Sequence, residues 1–186
     1  MMMPNENIIQ KSKEYFLSKV LDDKVSVKDH VFEAEKWAER ILKKYPEANR
    51  EVLLVSVWLH DIGYFMGEKI IDHAIKSEGI ADEFLGNSID EELKKNILHC
   101  IRSHRNKDVM PETLEAKLMV AIDCASHFTG TLYMFLLNYG KSVDSIVERI
   151  EKDYTDLSIF PEIQKTLFPI YEGWKKLFAG LKNITI

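Results

Sequence analysis

Apolar residues recur at intervals of three and four through most of the chain, and this spacing is the feature that most restricts its fold. Such spacing places the apolar side chains of a segment on one face of a helix, whereas a half-buried strand needs strict alternation, which no strand-length window sustains. Only 8 glycines and 5 prolines interrupt the pattern. The sequence therefore predicts one all-α domain over residues 1–186, with about seven helices.

The predicted helices are bounded by capping residues, glycines and prolines. Ser26 and Ser88 are the predicted N-caps of two of them, and Pro111 is predicted to open the longest. The C-terminal helices, within 142–179, are expected to pack on a core formed by residues 27–127. The expected spans are 10–21, 27–45, 50–60, 69–85, 88–104, 111–138, 142–152 and 161–179.

Charge and cysteine content exclude several classes of protein. With 25 basic and 30 acidic residues the net charge is −5, which makes nucleic-acid binding an unfavoured function. Two cysteines cannot form a disulfide framework. No run of 18 apolar residues occurs, and the first residues lack the basic head and apolar stretch of a signal peptide. We therefore expect a cytoplasmic protein without a membrane segment.

Six polar residues on five separate segments are predicted to point into the apolar core. A buried, unpaired carboxylate costs several kcal/mol, and no basic partner is evident on the same helical faces. A metal would satisfy all six groups, and imidazoles with carboxylates suit Mn, Fe, Co, Ni or Zn better than Mg alone. His99 is expected on the surface, while His127 is left open as a supporting residue, a substrate contact or a core histidine. The six are His30, His60, Asp61, His73, His104 and Asp123.

The order of these residues resembles a known family. Leu59-His60-Asp61-Ile62-Gly63 follows the apolar segment 52–59, with His30 before it and Asp123 after it. This pattern resembles the signature of the HD superfamily of metal-dependent phosphohydrolases. The resemblance implies that these four polar residues hold one metal ion. Some members have two further histidines for a second ion; His73 and His104 match their order, and Asp61 would then bridge the two ions.

The resemblance implies that a metal-activated water hydrolyses a phosphoester of a small molecule, with a nucleotide as one candidate. Asp61 and Arg105 are the predicted catalytic residues, Arg105 being chosen from a basic cluster over 102–107 as a phosphate contact. Similar proteins often carry a lysine or arginine after the glycine of the motif, where this chain has Tyr64.

Two other functions remain open from the sequence. One is a di-iron oxygenase or oxidase that uses the same six ligands, and the other is a non-catalytic nucleotide-binding regulator. A homodimer is likewise left open. The expected cofactor is one or two divalent transition-metal ions, with Mg as an alternative, and the expected partner is a small phosphorylated substrate.

Overall fold

A computed structural model describes residues 6–20, 26–66 and 70–182 of the protein. Over these residues the chain forms nine α-helices and two single 3-10 turns and contains no strand, which confirms the predicted all-α fold. The 3-10 turns are Ile62–Tyr64 and Leu157–Ile159. The α-helices are α1 Glu6–Lys19, α2 Val27–Lys44, α3 Arg50–Leu59, α4 His73–Leu85, α5 Glu91–Ser103, α6 Leu114–Thr129, α7 Leu132–Asn138, α8 Val143–Asp156 and α9 Pro161–Lys182.

Helix α3 is the centre of the domain. It packs against α1, α2, α5 and α6, and every residue from Val52 to Leu59 is buried. A helix that is apolar on all sides requires neighbours on all sides, which explains this central position. The side chain of Asn49 caps its first turn by accepting hydrogen bonds from the backbone N–H groups of Glu51 and Val52. The carboxyl end of α3 is thereby held in the middle of the core.

The structure moves two of the predicted helix starts and keeps a third, at Val27, without the predicted side-chain cap. Ser26 does precede α2, but it has φ 53° and its side chain makes no capping hydrogen bond. Asp90, not Ser88, caps α5, because its carboxylate accepts from two backbone N–H groups of the first turn. Thr113 caps α6, so Pro111 lies before the helix. In each described helix that has a side-chain cap, the capping residue directly precedes the first residue of the helix.

The predicted single helix over 111–138 is wrong. α6 ends at Thr129, α7 begins at Leu132, and the two helices are bent by 62°. Gly130 permits this break, since a Cβ at that position would lie 2.7 Å from the carbonyl oxygen of Ser126, to which its own N–H donates. Because of the bend, α7 runs at an angle to α6 and forms one wall of the pocket described below.

Helices α8 and α9 pack on α6. The indole N–H of Trp174 donates to the carbonyl oxygen of Phe128 at 2.9 Å, and Tyr154 stacks on Tyr171 with ring centroids 3.9 Å apart. Both helices are longer than the predicted spans 142–152 and 161–179. This packing brings one face of α8 next to the middle of α6.

Some predicted boundaries cannot be compared with the structure. The predicted end of the first helix at Leu21, and the predicted start of another at Lys69, lie outside the described residues. Within the described residues, α4 begins at His73 after a cap by Asp72. No single helix of that part of the chain is long and apolar enough to cross a membrane, although α6 and α7 taken together reach the required length and composition.

Candidate metal centre

Four of the six predicted ligands meet where α2, α3 and α6 converge. His30 lies in the first turn of α2, His60 and Asp61 directly follow α3, and Asp123 lies in the middle of α6. All four are buried. The Nε2 atom of His30 lies 3.0 Å from Nε2 of His60, 3.1 Å from Oδ1 of Asp123 and 3.6 Å from Oδ2 of Asp61.

The other two predicted ligands approach Asp61 from the opposite side. His73 is the first residue of α4, and His104 directly follows α5. Their Nε2 atoms lie 3.4 Å apart and are 3.4 Å and 3.8 Å, respectively, from Oδ1 of Asp61. Asp61 therefore presents one carboxylate oxygen to each histidine pair, which is the arrangement expected of a bridging ligand.

Gly63 explains why the motif contains a glycine after its aspartate. A Cβ at Gly63 would lie 2.5 Å from the carbonyl oxygen of His73, so only glycine allows this close approach. Its N–H also donates to the hydroxyl of Ser77 at 2.9 Å. The turn after α3 can therefore lie against the start of α4, and this contact brings His73 to Asp61.

Hydrogen bonds at Nδ1, the ring nitrogen that does not face the centre, fix the ring orientation of three of the histidines. Nδ1 of His60 donates to the carbonyl oxygen of Val57 at 2.8 Å, and Nδ1 of His104 donates to that of Ile101 at 2.7 Å. A carbonyl oxygen can only accept, so in a neutral ring Nε2 carries the lone pair. Metal-binding histidines commonly have this arrangement.

Ser126 does the same for His30. Its hydroxyl donates to the carbonyl oxygen of Asp123 at 2.7 Å, so the hydroxyl oxygen is left to accept from Nδ1 of His30 at 3.0 Å. Ser126 lies one turn of α6 after the last predicted ligand and therefore holds the ring of His30 against the backbone of α6 at Asp123. The sequence analysis did not identify this residue.

The carboxylates of the centre are ionised. Burial alone would raise the pKa of Asp61, but the surrounding imidazoles outweigh it and lower that pKa to about 2. The pKa of Asp123 is lowered in the same way, with His127 as the strongest imidazole contribution. Burial would lower the pKa of His60, but the two carboxylates raise it to about 9, whereas burial lowers the pKa of His104 to about 4. The metal-free centre is thus expected to hold a proton on His60 that a cation would displace.

The donor set fits a divalent metal ion. Within the described part of the chain, no lysine or arginine forms an ion pair with Asp61 or Asp123; their partners are imidazoles. The ligand atoms of His30, His60 and Asp61 lie within 4.8 Å of one another, as do those of Asp61, His73 and His104. The structure brings together all six predicted ligands, and their function as ligands stays a prediction.

A comparison with protein families identifies the fold around this centre. The family model of the HD domain matches residues 27–126, more than half of the chain. The chain belongs to the HD-domain family. Comparisons with curated proteins and with solved structures gave no match. HD domains bind divalent metals, and all six predicted ligands of this HD domain lie within the matched residues.

A pocket of about 220 Å³ opens over the metal centre of the HD domain. The centre forms its floor, and α7 contributes an apolar wall through Leu132, Phe135 and Leu136. The ring of Phe135 stacks on that of Tyr139 with centroids 5.6 Å apart. Tyr64 also lines the pocket, and its ring stacks on that of His73 with centroids 4.3 Å apart.

Three cations line the same pocket: Arg105, Lys141 and Arg149. The guanidinium of Arg105 is paired with Asp72, the residue that caps α4, so the predicted phosphate contact already has a carboxylate partner. Lys141 is exposed and forms no ion pair with the described residues. Of the three pocket cations, Lys141 is therefore the one that could bind an anion without first losing an ion-pair partner.

The other basic residues of the predicted cluster lie elsewhere. Arg102 pairs with Asp108 and Glu78 and does not line this pocket, and Lys107 is exposed outside it. His99, the histidine predicted to lie on the surface, is half-buried and accepts a hydrogen bond from the backbone N–H of Glu112 at 3.0 Å. It lies outside the metal centre.

Sequence reasoning missed the contribution of α8. Arg149 lines the pocket and donates through Nε to Asp153 at 2.8 Å. Asp153 is buried and contacts Nδ1 of His127 at 3.1 Å. The four-residue spacing of Arg149 and Asp153 indicates a pair on one helix face, but the sequence gives no indication that this face meets α6.

Proposed function

We propose that this HD-domain protein is a metal-dependent phosphohydrolase that cleaves a phosphoester of a small molecule. One observation carries the proposal: the predicted ligands converge at the floor of a pocket that three cations also line. The donor atoms suit a divalent metal, and the cations suit an anionic substrate. Neither an apolar ligand nor a cationic one would match this combination.

The ligands divide into two sets that share Asp61. His30, His60, Asp61 and Asp123 would hold one ion, and Asp61 with His73 and His104 would hold a second. Mn, Fe, Co, Ni or Zn fits these donors, with Mg as an alternative. A bound ion of this kind polarises phosphoryl oxygens and lowers the pKa of coordinated water.

The remaining pocket residues would position the substrate. Arg105, Arg149 and Lys141 would neutralise the phosphate oxygens, and phosphoryl transfer depends mainly on such positioning and charge stabilisation. Phe135, Tyr139 and Tyr64 line the pocket and would offer aromatic surfaces to the rest of the substrate. A nucleotide, which joins a phosphate to a planar base, is one substrate that suits both walls.

The test is metal analysis followed by a substrate screen. Protein purified without chelator is expected to contain divalent metal, and removing the metal should abolish hydrolysis of phosphomonoesters, including nucleotides, or of phosphodiesters. Added Mn²⁺ or Co²⁺ should restore it. A His60→Gln variant should lose metal and turnover together, while His99→Gln, a control outside the centre, should retain both. Full activity in the metal-free protein would contradict the proposal.

The excess of imidazoles supports a second candidate, a di-iron oxygenase or oxidase. Four of the six predicted ligands are histidines, and imidazole suits iron. Oxygen uptake by the protein loaded with reduced iron, without hydrolysis under any divalent metal, would favour this function. Tight nucleotide binding without either activity would instead favour a regulatory role.

A further inference from the structure

His127 is a buried histidine at the edge of the metal centre that the six predicted ligands do not include. It lies one turn after Asp123 on α6, and its Nε2 atom is 3.6 Å from Oδ1 of Asp123. Its ring stacks on that of His30 with centroids 4.8 Å apart and an interplanar angle of 24°. The ligand atoms of His30, Asp123 and His127 all lie within 4.8 Å of one another.

Asp153 of α8 fixes the orientation of this ring. Its buried carboxylate accepts from Nε of Arg149 at 2.8 Å and from the hydroxyl of Tyr133 at 3.0 Å, and it lies 3.1 Å from Nδ1 of His127. Nδ1 of His127 also lies 3.4 Å from the guanidinium of Arg149, but its contact with Asp153 is shorter. A carboxylate accepts, so the shorter contact places the proton on Nδ1 of His127. The lone pair of the neutral ring is then on Nε2, the atom that faces Asp123.

The geometry points to His127 as a further ligand of the metal ion held by His30 and Asp123, with Asp153 as the residue that positions it. The inference rests on the proposed metal centre. It gives that ion a third imidazole beside His30 and His60, whereas the ion next to His73 and His104 has two. A carboxylate behind a metal-binding histidine is a common arrangement that raises the basicity of the ligand.

The additional imidazole should affect which metal binds. Nitrogen donors favour Fe, Co, Ni and Zn, while Mg prefers oxygen. The ion next to α6 should therefore discriminate against Mg more strongly than the ion next to α4. A histidine that merely fills the core beside Asp153 would affect folding stability but neither the number of coordinated imidazoles nor the preference among metals.

The experiment uses Co²⁺ as the probe, with three variants of the full chain. His127→Gln keeps a side chain that can donate to Asp153 but removes the imidazole. Asp153→Asn keeps the size of the side chain but removes its charge and one acceptor oxygen behind the ring. His99→Gln removes a histidine outside the centre. Folding of each metal-free variant is checked by circular dichroism. Binding is measured by dialysis with metal analysis, and coordinated rings are counted by the paramagnetically shifted imidazole N–H resonances of the Co²⁺-loaded protein.

His127→Gln should lose one shifted N–H resonance and weaken one Co²⁺ site more than Asp153→Asn does. Asp153→Asn should keep the resonance at a changed shift and weaken that site about 10–100-fold, and His99→Gln should match the unchanged protein. Should His127→Gln fail to fold, the result for Asp153→Asn decides. An unchanged number of shifted resonances and an unchanged Co²⁺ affinity in the folded variants would overturn the assignment of His127 as a ligand but not the proposed metal centre. Absence of Co²⁺ binding by the unchanged protein would overturn the assignment of His127 and the metal centre together.

Discussion

Replacing Asp61 with asparagine tests the bridging position of this residue. The change keeps the size of the side chain and removes the charge that faces four imidazoles. The pKa of Asp61 is lowered from 3.8 to about 2, so the folded state favours the carboxylate. Its contribution to stability is present above the unfolded pKa and is lost as the pH falls through about 2.

The expected loss at neutral pH follows from this shift. At 1.36 kcal/mol per pKa unit, the metal-free protein should lose about 2 kcal/mol of unfolding free energy, which for a domain of this size lowers Tm by roughly 4–8 °C. Metal at a hundred times its Kd should add about 2.7 kcal/mol to the unchanged protein. The variant should gain almost none of this second amount, because both proposed ions depend on Asp61.

Thermal unfolding measured by circular dichroism, with and without Mn²⁺ after chelator treatment, separates the two effects. Asp82→Asn is a suitable control, since Asp82 is exposed on α4 and paired with Lys94. The control should keep its metal-dependent rise in Tm. If Asp61→Asn shows the same metal-dependent rise as the unchanged protein, and the same turnover, Asp61 does not bridge two ions and the reasoning is wrong.

Three further results are expected. Ser126→Ala removes the acceptor for Nδ1 of His30 and should weaken metal binding about 10–100-fold in equilibrium dialysis; unchanged affinity would argue against the role given to Ser126. The pKa of His60 is raised to about 9 in the metal-free protein, so the stability contributed by protonated His60 is complete below pH about 6.5 and is lost as the pH rises through about 9. The urea midpoint of the metal-free protein should therefore fall over this pH range; a midpoint that stays constant would contradict the raised pKa of His60. Lys141→Gln should raise KM for a phosphorylated substrate while metal content stays constant, and an unaffected KM would exclude Lys141 as a phosphate contact.

The convergence of the ligands was predictable because it depends on local patterns. His30 and Asp123 interrupt otherwise apolar helical faces, and His60 with Asp61 ends a segment that has to be central. Once these faces pack on one core, their polar residues lie close to one another. The resemblance to the HD superfamily independently implies the same set of metal ligands.

The pocket walls were not predictable in the same way. The apolar pattern continues past Gly130, so the sequence predicts one long helix, whereas the structure ends α6 there with a backbone so close to a carbonyl oxygen that a Cβ would not fit. Arg105 was chosen because it follows His104, but its partner Asp72 precedes a different helix. Arg149 reaches the site only through the packing of α8 on α6, for which no local signal exists.

One carboxylate, that of Asp61, lies between two sets of predicted metal ligands and should contact every ion that the centre binds. Anomalous diffraction from crystals of the protein grown with Mn²⁺ tests this directly. Anomalous density is expected beside Oδ2 of Asp61, facing His30 and His60, with a second peak beside Oδ1 where two ions bind. An anomalous map without a peak within coordination distance of Asp61, from protein that still hydrolyses its substrate, would show that Asp61 is not a metal ligand.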